Sequence, residues 1–241
     1  MTGIEPAFSA WEADVLPLNY TRDRWPGYLA GAATPSRPRA APRPGASPAS
    51  NVAAVILSDA TLRELLASGY VCIDPYDPQL VQPASVDVRL GNEFRVMRNS
   101  RLTHIDPFES QQRLMDTVTV PDGEPFVLHP GEFALGHTAE VIGCPGDIVG
   151  IVNGKSSLGR LGIQVHATAG FIDPGFKGTV VLELSNVANL PILLRPGMKI
   201  AQMVFQRLDR PAERPYGHPD LGSKYQGQQG AVASKYDQNT L

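Results

Sequence analysis

From Ser58 onward the chain alternates short apolar runs with turn residues, and only one stretch carries a helical period. Leu62, Leu65 and Leu66 share one helical face, Ser58 stands ahead of them as a good N-cap, and Gly69 can close the helix in a left-handed conformation. Everything after that reads as extended chain. The apolar spacing predicts strands over 70–73, 85–90, 93–97, 126–128, 133–140, 148–152, 163–166, 179–185, 192–194 and 200–208. Asp-Pro steps at Asp74, Asp106 and Asp173 separate these runs, as do Pro-Gly steps at Pro130, Pro145, Pro174 and Pro196. Many short strands without alternating helices predict a mainly β sandwich or barrel with one short N-terminal helix.

Two segments break the pattern. Residues 1–54 include the run 34–50, which is almost wholly Pro, Ala, Ser, Arg and Gly and cannot bury enough apolar surface to offset its chain entropy. Residues 1–54 are therefore read as a disordered extension. Both tryptophans of the chain, Trp11 and Trp25, lie there, which leaves a partner-binding segment open. An over-long start is a third reading. At the other end, residues 217–241 are polar and glycine-rich and read as a flexible tail, with the β domain spanning 55–216.

Composition and charge narrow the function. Among 241 residues there are 21 Lys+Arg against 24 Asp+Glu, for a formal charge of −3. No global field draws nucleic acid, so an anionic ligand needs a local site. Cys72 and Cys144 are too few for a disulfide framework or a four-cysteine zinc site. No apolar run approaches membrane-span length, so a soluble, cytoplasmic protein is expected. None of His104, His129, His137, His166 and His218 is followed two residues later by Glu, and no C-x-x-C occurs, so the zinc deaminase signature is missing. Gly154-Lys155-Ser156 has the end of a phosphate-binding P-loop. Val149 stands where its first glycine belongs, and no helix is expected to follow.

Candidate chemistry concentrates between Gly154 and Glu183. Gly154, Lys155, Ser156, Ser157, Leu158, Gly159 and Arg160 combine two cations, two hydroxyls and two glycines, the composition of a phosphate cradle and also of a solvated turn. The run 168–178 forms a tight turn carrying Asp173. Residues 179–185 read as a buried strand with Glu183 near its middle. A carboxylate among Val and Leu is costly unless paired or used, and burial would lift its pKa toward the general acid–base range.

These motifs, with the terminal run 224–230 and the stretch 82–90, resemble the dCTP deaminase family of the dUTPase-like superfamily, over residues 55–233 and in the same order. The resemblance implies a homotrimer of distorted β-barrel or jelly-roll subunits with active sites between them. It implies deamination of cytosine without zinc, with Mg²⁺ bound only through the substrate triphosphate and dTTP as feedback inhibitor. Carried over by position, Lys155, Ser156, Ser157, Leu158, Gly159 and Arg160 match the triphosphate motif, with Lys155 where most dUTP-forming members have Arg. Glu183 matches the acid–base residue, flanked by Val181 and Leu182 at the substrate. Ser156 and the Ala169 carbonyl match groups that hold the attacking water, and Asp173 matches the deoxyribose contact. Phe176 faces the sugar, and Gln202, Tyr216, Lys224 and Gln228 match further nucleotide contacts, the tail closing over bound triphosphate. Gly170-Phe171 resembles bifunctional members that continue from dUTP to dUMP, whereas dUTP-forming members carry a His and a basic residue there. A deaminase that stops at dUTP, a plain dUTPase and a non-catalytic nucleotide sensor are the rival readings.

Overall fold

The computed structural model describes residues 55–97, 103–110, 114–168 and 170–239. In chain order the elements begin with β1 (Val55–Ile56), α1 (Asp59–Ala67), β2 (Cys72–Asp74), β3 (Val81–Gln82), β4 (Ser85–Arg89), β5 (Glu93–Met97) and β6 (Met115–Thr119). They continue with β7 (Phe126–Leu128), β8 (Phe133–Gly143), β9 (Ile148–Gly154), α2 (Ser156–Gly159) and β10 (Ile163–Gln164). The last are β11 (Phe171–Ile172), β12 (Lys177–Asn186), β13 (Ile192–Leu194) and β14 (Lys199–Arg207). The expected β architecture is present. Strands β5, β7 and β13 coincide with their expected spans, while β3, β6 and β11 carry too few apolar residues to stand out.

Helix α1 forms where the leucine spacing puts it, with Leu62 and Leu66 buried. Ser58 occupies the N-cap position, yet its hydroxyl faces that of Thr61 and makes no cap bond. Gly69 takes φ +72°, the left-handed geometry that ends the helix.

All strand pairs are antiparallel and fall into two open sheets and a ribbon. One sheet runs β11-β9-β14-β4-β3 with β1 also on β14; the other runs β10-β12-β8-β5-β6 with β2 also on β8; β7 and β13 form the ribbon. Val86, Val88, Met203 and Phe205 from the first sheet and Ile142, Leu182 and Leu184 from the second enter one apolar core. The arrangement is thus jelly-roll-like, with neither sheet closed on itself among the described residues.

The long pair β8–β12 is interrupted by a bulge between Thr179 and Val181. A bulge frees an amide from the ladder. Here the Val180 N–H donates to the hydroxyl of fully buried Thr138 at 2.9 Å, and that hydroxyl donates to the Glu140 carbonyl at 2.7 Å. Glu140, also fully buried, is neutralised by Arg89, whose Nε and backbone N–H donate to its two oxygens at 2.6 and 2.9 Å. Past the bulge, strict alternation resumes. Leu182, Leu184 and Asn186 point into the core, and Val181, Glu183 and Ser185 point the other way.

Candidate active site

That alternation decides where the acid lies. Glu183 is half-buried on the outward face of β12, so its immediate neighbours Leu182 and Leu184 turn away from it, while Val181 shares its face. The expectation of a carboxylate enclosed by those apolar residues is corrected on this point. What holds the carboxylate is backbone: Glu183 Oε2 accepts the N–H of Ala167 at 2.6 Å and of Thr168 at 3.2 Å. Its own amide donates to Val165 at 3.0 Å, tying the segment after β10 along the strand. Among the described residues Oε1 takes no hydrogen bond and is available to a ligand or water.

Glu183 opens into a cavity of about 930 Å³ that also receives Val181, Asp173, Phe176, Phe171, Tyr216 and Gln228. Met97, Leu114, Phe133 and Leu135 make an apolar wall on one side. Phe176 is buried and meets the Tyr216 ring edge-on, with centroids 5.6 Å apart. The Tyr216 hydroxyl accepts the Tyr225 amide at 3.0 Å, which places both tyrosines on the cavity rim. Asp173 is exposed, at the head of the turn whose Phe176 N–H donates back to its carbonyl at 3.1 Å.

The tail lies along this rim. Thr179 N–H donates to the Gln228 carbonyl at 3.0 Å, and Gln228 Nε2 returns a bond to the Thr179 carbonyl at 2.7 Å. That second bond fixes the amide orientation and leaves Gln228 Oε1 buried without a partner among the described residues. Further on, Glu93 Oε1 accepts the Ala231 N–H at 2.9 Å and Arg95 Nε donates to the Ala231 carbonyl. Lys224 bonds Asn239 and gives its carbonyl to Lys235, outside the cavity lining.

The cradle forms a second group. Contrary to the sequence expectation, a one-turn helix, α2, follows Lys155, with Arg160 as its C-cap. Leu158 packs against the core, while Ser156 and Ser157 stay on the surface side. None of Lys155, Ser156, Ser157, Leu158, Gly159 and Arg160 lines the Glu183 cavity, and neither does Gln202 on β14. Leu182 is fully buried in the core and does not line the cavity. Ala169 lies outside the described residues. Gly170 does not take a positive φ; instead a β-carbon there would come 3.2 Å from the Val152 carbonyl oxygen, in the β9–β11 pairing. Phe171 is 68% exposed at the cavity mouth. His166 and Tyr225 also line the cavity; no local pattern singles out His166, which enters only through the fold.

This architecture is that of a mainly β, jelly-roll-like domain. Within that class the chain belongs to the dCTP deaminase-like family, whose domain matches residues 56–208. It is 59% identical to the dUMP-forming dCTP deaminase of Mycolicibacterium paratuberculosis over 187 residues, 78% of this chain and 98% of that one. The corresponding Rhodococcus opacus protein, also named dCTP deaminase, dUMP-forming, is 59% identical over 181 residues, covering 75% and 96%. In structure the chain is similar to the 2′-deoxycytidine 5′-triphosphate deaminase of Agrobacterium tumefaciens, with a TM-score of 0.52 and 29% identity. That likeness covers 64% of this chain and spans 48% of the other.

Proposed function

We propose that this protein is a bifunctional dCTP deaminase that converts dCTP and two waters to dUMP, ammonia and diphosphate. The observation that carries the reading is Glu183: a carboxylate with one oxygen pinned by two amides, on a residue that lines a cavity together with Asp173 and Phe176. In this scheme Glu183 takes a proton from water, the hydroxide attacks C4 of cytosine, and the same carboxyl delivers protons to N3 and to the departing ammonia. Ser156 and the Ala169 carbonyl hold that water. Arg160 offsets the negative charge of the tetrahedral centre. Lys155, Ser156, Ser157, Leu158, Gly159, Arg160 and Lys224 hold the triphosphate, so that the ring is presented in attack geometry. Gln202, Tyr216 and Gln228 complete the nucleotide contacts, with the backbone of Val181 and Leu182 beside the base and Phe176 against the deoxyribose.

The second hydrolysis uses Asp173, which orients water for attack at the α-phosphate and releases diphosphate. Gly170 leaves room for that water beside Phe171, and a second hydrolysis agrees with the dUMP-forming names of the 59%-identical relatives. The separation of the cradle from the Glu183 cavity within one chain supports a homotrimer in which one copy's cradle faces another copy's cavity. The substrate enters as its Mg²⁺ complex, and dTTP competes for the same site as a feedback inhibitor. Zinc plays no part in this scheme, in keeping with a sequence that lacks both the H-x-E and C-x-x-C elements.

Incubating the protein with dCTP and Mg²⁺, and resolving ammonia, dUTP, dUMP and diphosphate over time, tests the reading. Diphosphate and dUMP are expected to rise in step with ammonia. Accumulation of dUTP with background diphosphate would establish the dUTP-forming alternative, and absence of ammonia would leave the plain dUTPase and the sensor, which diphosphate release from dUTP separates.

A further inference from the structure

We infer that Asp87 is a positioning residue for the triphosphate, acting through Lys155 without touching the nucleotide. The inference rests on the reading of Lys155 as a triphosphate contact and adds the group that aims it.

Asp87 sits in the middle of β4, between Val86 and Val88, which are both fully buried in the core. Its own side chain therefore projects from the opposite face of the sheet, where an acid is ordinarily solvated. Here it is only 2% exposed. Two ammonium groups cover it: Lys155 Nζ donates to Oδ1 at 2.5 Å, and Lys199 Nζ stands 3.4 Å from Oδ2. The strand register adds a row of amides on the same face. Asp87 is directly opposite Gln202 of β14, and Gln202 is directly opposite Asn153 of β9. Asp87 thus lies beside two residues assigned to the nucleotide, Lys155 at the N-cap of α2 and Gln202 on β14.

The charge arithmetic favours an anion. One carboxylate and two ammoniums leave a net charge of +1, so Lys155 is held without the cluster being neutralised. An ammonium carries three N–H donors, and Asp87 takes one from Lys155, leaving two for phosphate oxygens. Lysine is a point charge on a flexible stem and lacks the rigid bidentate fork of arginine. A buried carboxylate at 2.5 Å supplies from outside the side chain the orientation that an arginine carries within its own guanidinium. With its side chain only 2% exposed, Asp87 has no surface to offer the substrate, so its effect passes through the two lysines, of which Lys155 is the one assigned to the triphosphate.

The test is a double-mutant cycle on the full chain: wild type, Asp87→Asn, Lys155→Met and the double variant. Two quantities are read, kcat and KM for ammonia release from Mg²⁺–dCTP, and the Kd of inorganic triphosphate by calorimetry. Asp87→Asn is expected to raise KM and the triphosphate Kd about tenfold, a coupling ordinary for members of one ion-pair network. Because Lys155 is assigned to the triphosphate and not to the reacting C4, kcat is expected to stay within about threefold. In the Lys155→Met background the same substitution is expected to change neither constant. Asp87→Glu, which keeps the charge but moves it by one methylene, replaces Asn if the Asn variant does not fold, with the same expectation. Independent effects that multiply in the double variant, an unchanged Kd, or tighter binding on removing the acid would each overturn the inference. If wild type releases no ammonia while the triphosphate cycle still shows coupling, the proposed activity fails and the positioning role stands. Ammonia release with an additive cycle is the reverse result.

Discussion

Glu183 and Ala167 are joined by a 2.6 Å bond from amide to carboxylate, in the segment that leaves one sheet after β10 and joins the other as β11. The same oxygen takes the Thr168 amide, so the acid both lines the cavity and anchors the segment that follows His166, another lining residue. A glutamine at 183 can accept the same two bonds through its amide oxygen but cannot shuttle a proton. Glu183→Gln is expected to lower the rate of ammonia release by about 10²- to 10⁴-fold, the range for lost general acid–base catalysis. Affinity for dCTP, measured by calorimetry, is expected to stay within about threefold, since less than ~1 kcal/mol of binding is at stake. Near wild-type ammonia release would remove Glu183 from the chemistry.

The imidazole of His137 fills the space over Gly91, and a β-carbon there would lie 2.1 Å from its ring. The ring is not free to withdraw, because Nδ1 donates to the Thr138 carbonyl at 2.8 Å and Nε2 accepts the Glu93 amide at 3.4 Å. Gly91→Ala is therefore expected to destabilise the fold by roughly 1–3 kcal/mol, the usual cost of overpacking. Adding His137→Ala should recover part of that loss in a denaturant titration. Equal stabilities for Gly91→Ala and wild type would contradict the packing.

A β-carbon at residue 170 would press on the Val152 carbonyl, whose own amide donates to the Gly170 carbonyl at 2.8 Å. Gly170→Ala is expected to shift the turn next to Asp173 and to impair the second hydrolysis more than the first. The readout is the product ratio from dCTP, with dUTP appearing at about tenfold or more above wild type, or ~1.4 kcal/mol on the second barrier. An unchanged ratio would uncouple Gly170 from bifunctionality.

Burial pushes the Cys144 thiol up to about 12, the nearby Asp173 charge adding to the shift and a hydrogen bond with the Gly150 backbone opposing it. In the unfolded chain a cysteine loses its proton near pH 8.5. Between those values the unfolded state binds fewer protons than the folded one, so stability falls as pH rises through this window, by up to about 1.4 kcal/mol per pH unit. Below pH 8.5 the contribution is complete. Cys144→Ala is expected to flatten the alkaline limb of a stability–pH curve. In native protein half-buried Cys72 is expected to alkylate first.

The family match begins at residue 56, and the M. paratuberculosis relative is covered over 98% of its length by an alignment of 187 residues. Residues 1–54 are accordingly expected to be dispensable. Their deletion should leave dCTP turnover within about twofold, well under ~1.4 kcal/mol in barrier. A tenfold loss at unchanged oligomer content would assign them a part in the site.

The sequence by itself determined the local features of this protein. Period-two apolar runs and Pro-Gly turns specify strands such as β5, β7 and β13, because side-chain alternation and turn chemistry are properties of neighbouring residues. The leucine spacing and Gly69 specify α1 for the same reason. The family motifs, too, are contiguous strings, so the candidate site residues were legible as a set. Their arrangement was not. The bulge at Thr179/Val181, the amides that pin Glu183, the Glu93–Ala231 contact and the pairing of Asp87 with Lys155 all join residues that only sheet register brings together. Register depends on which strands pair and where a ladder slips by one residue, and a slip exchanges the two faces of a strand. That is why the tertiary structure alone decided that Glu183 looks into a cavity, that His166 joins it there, and that the cradle lies outside it.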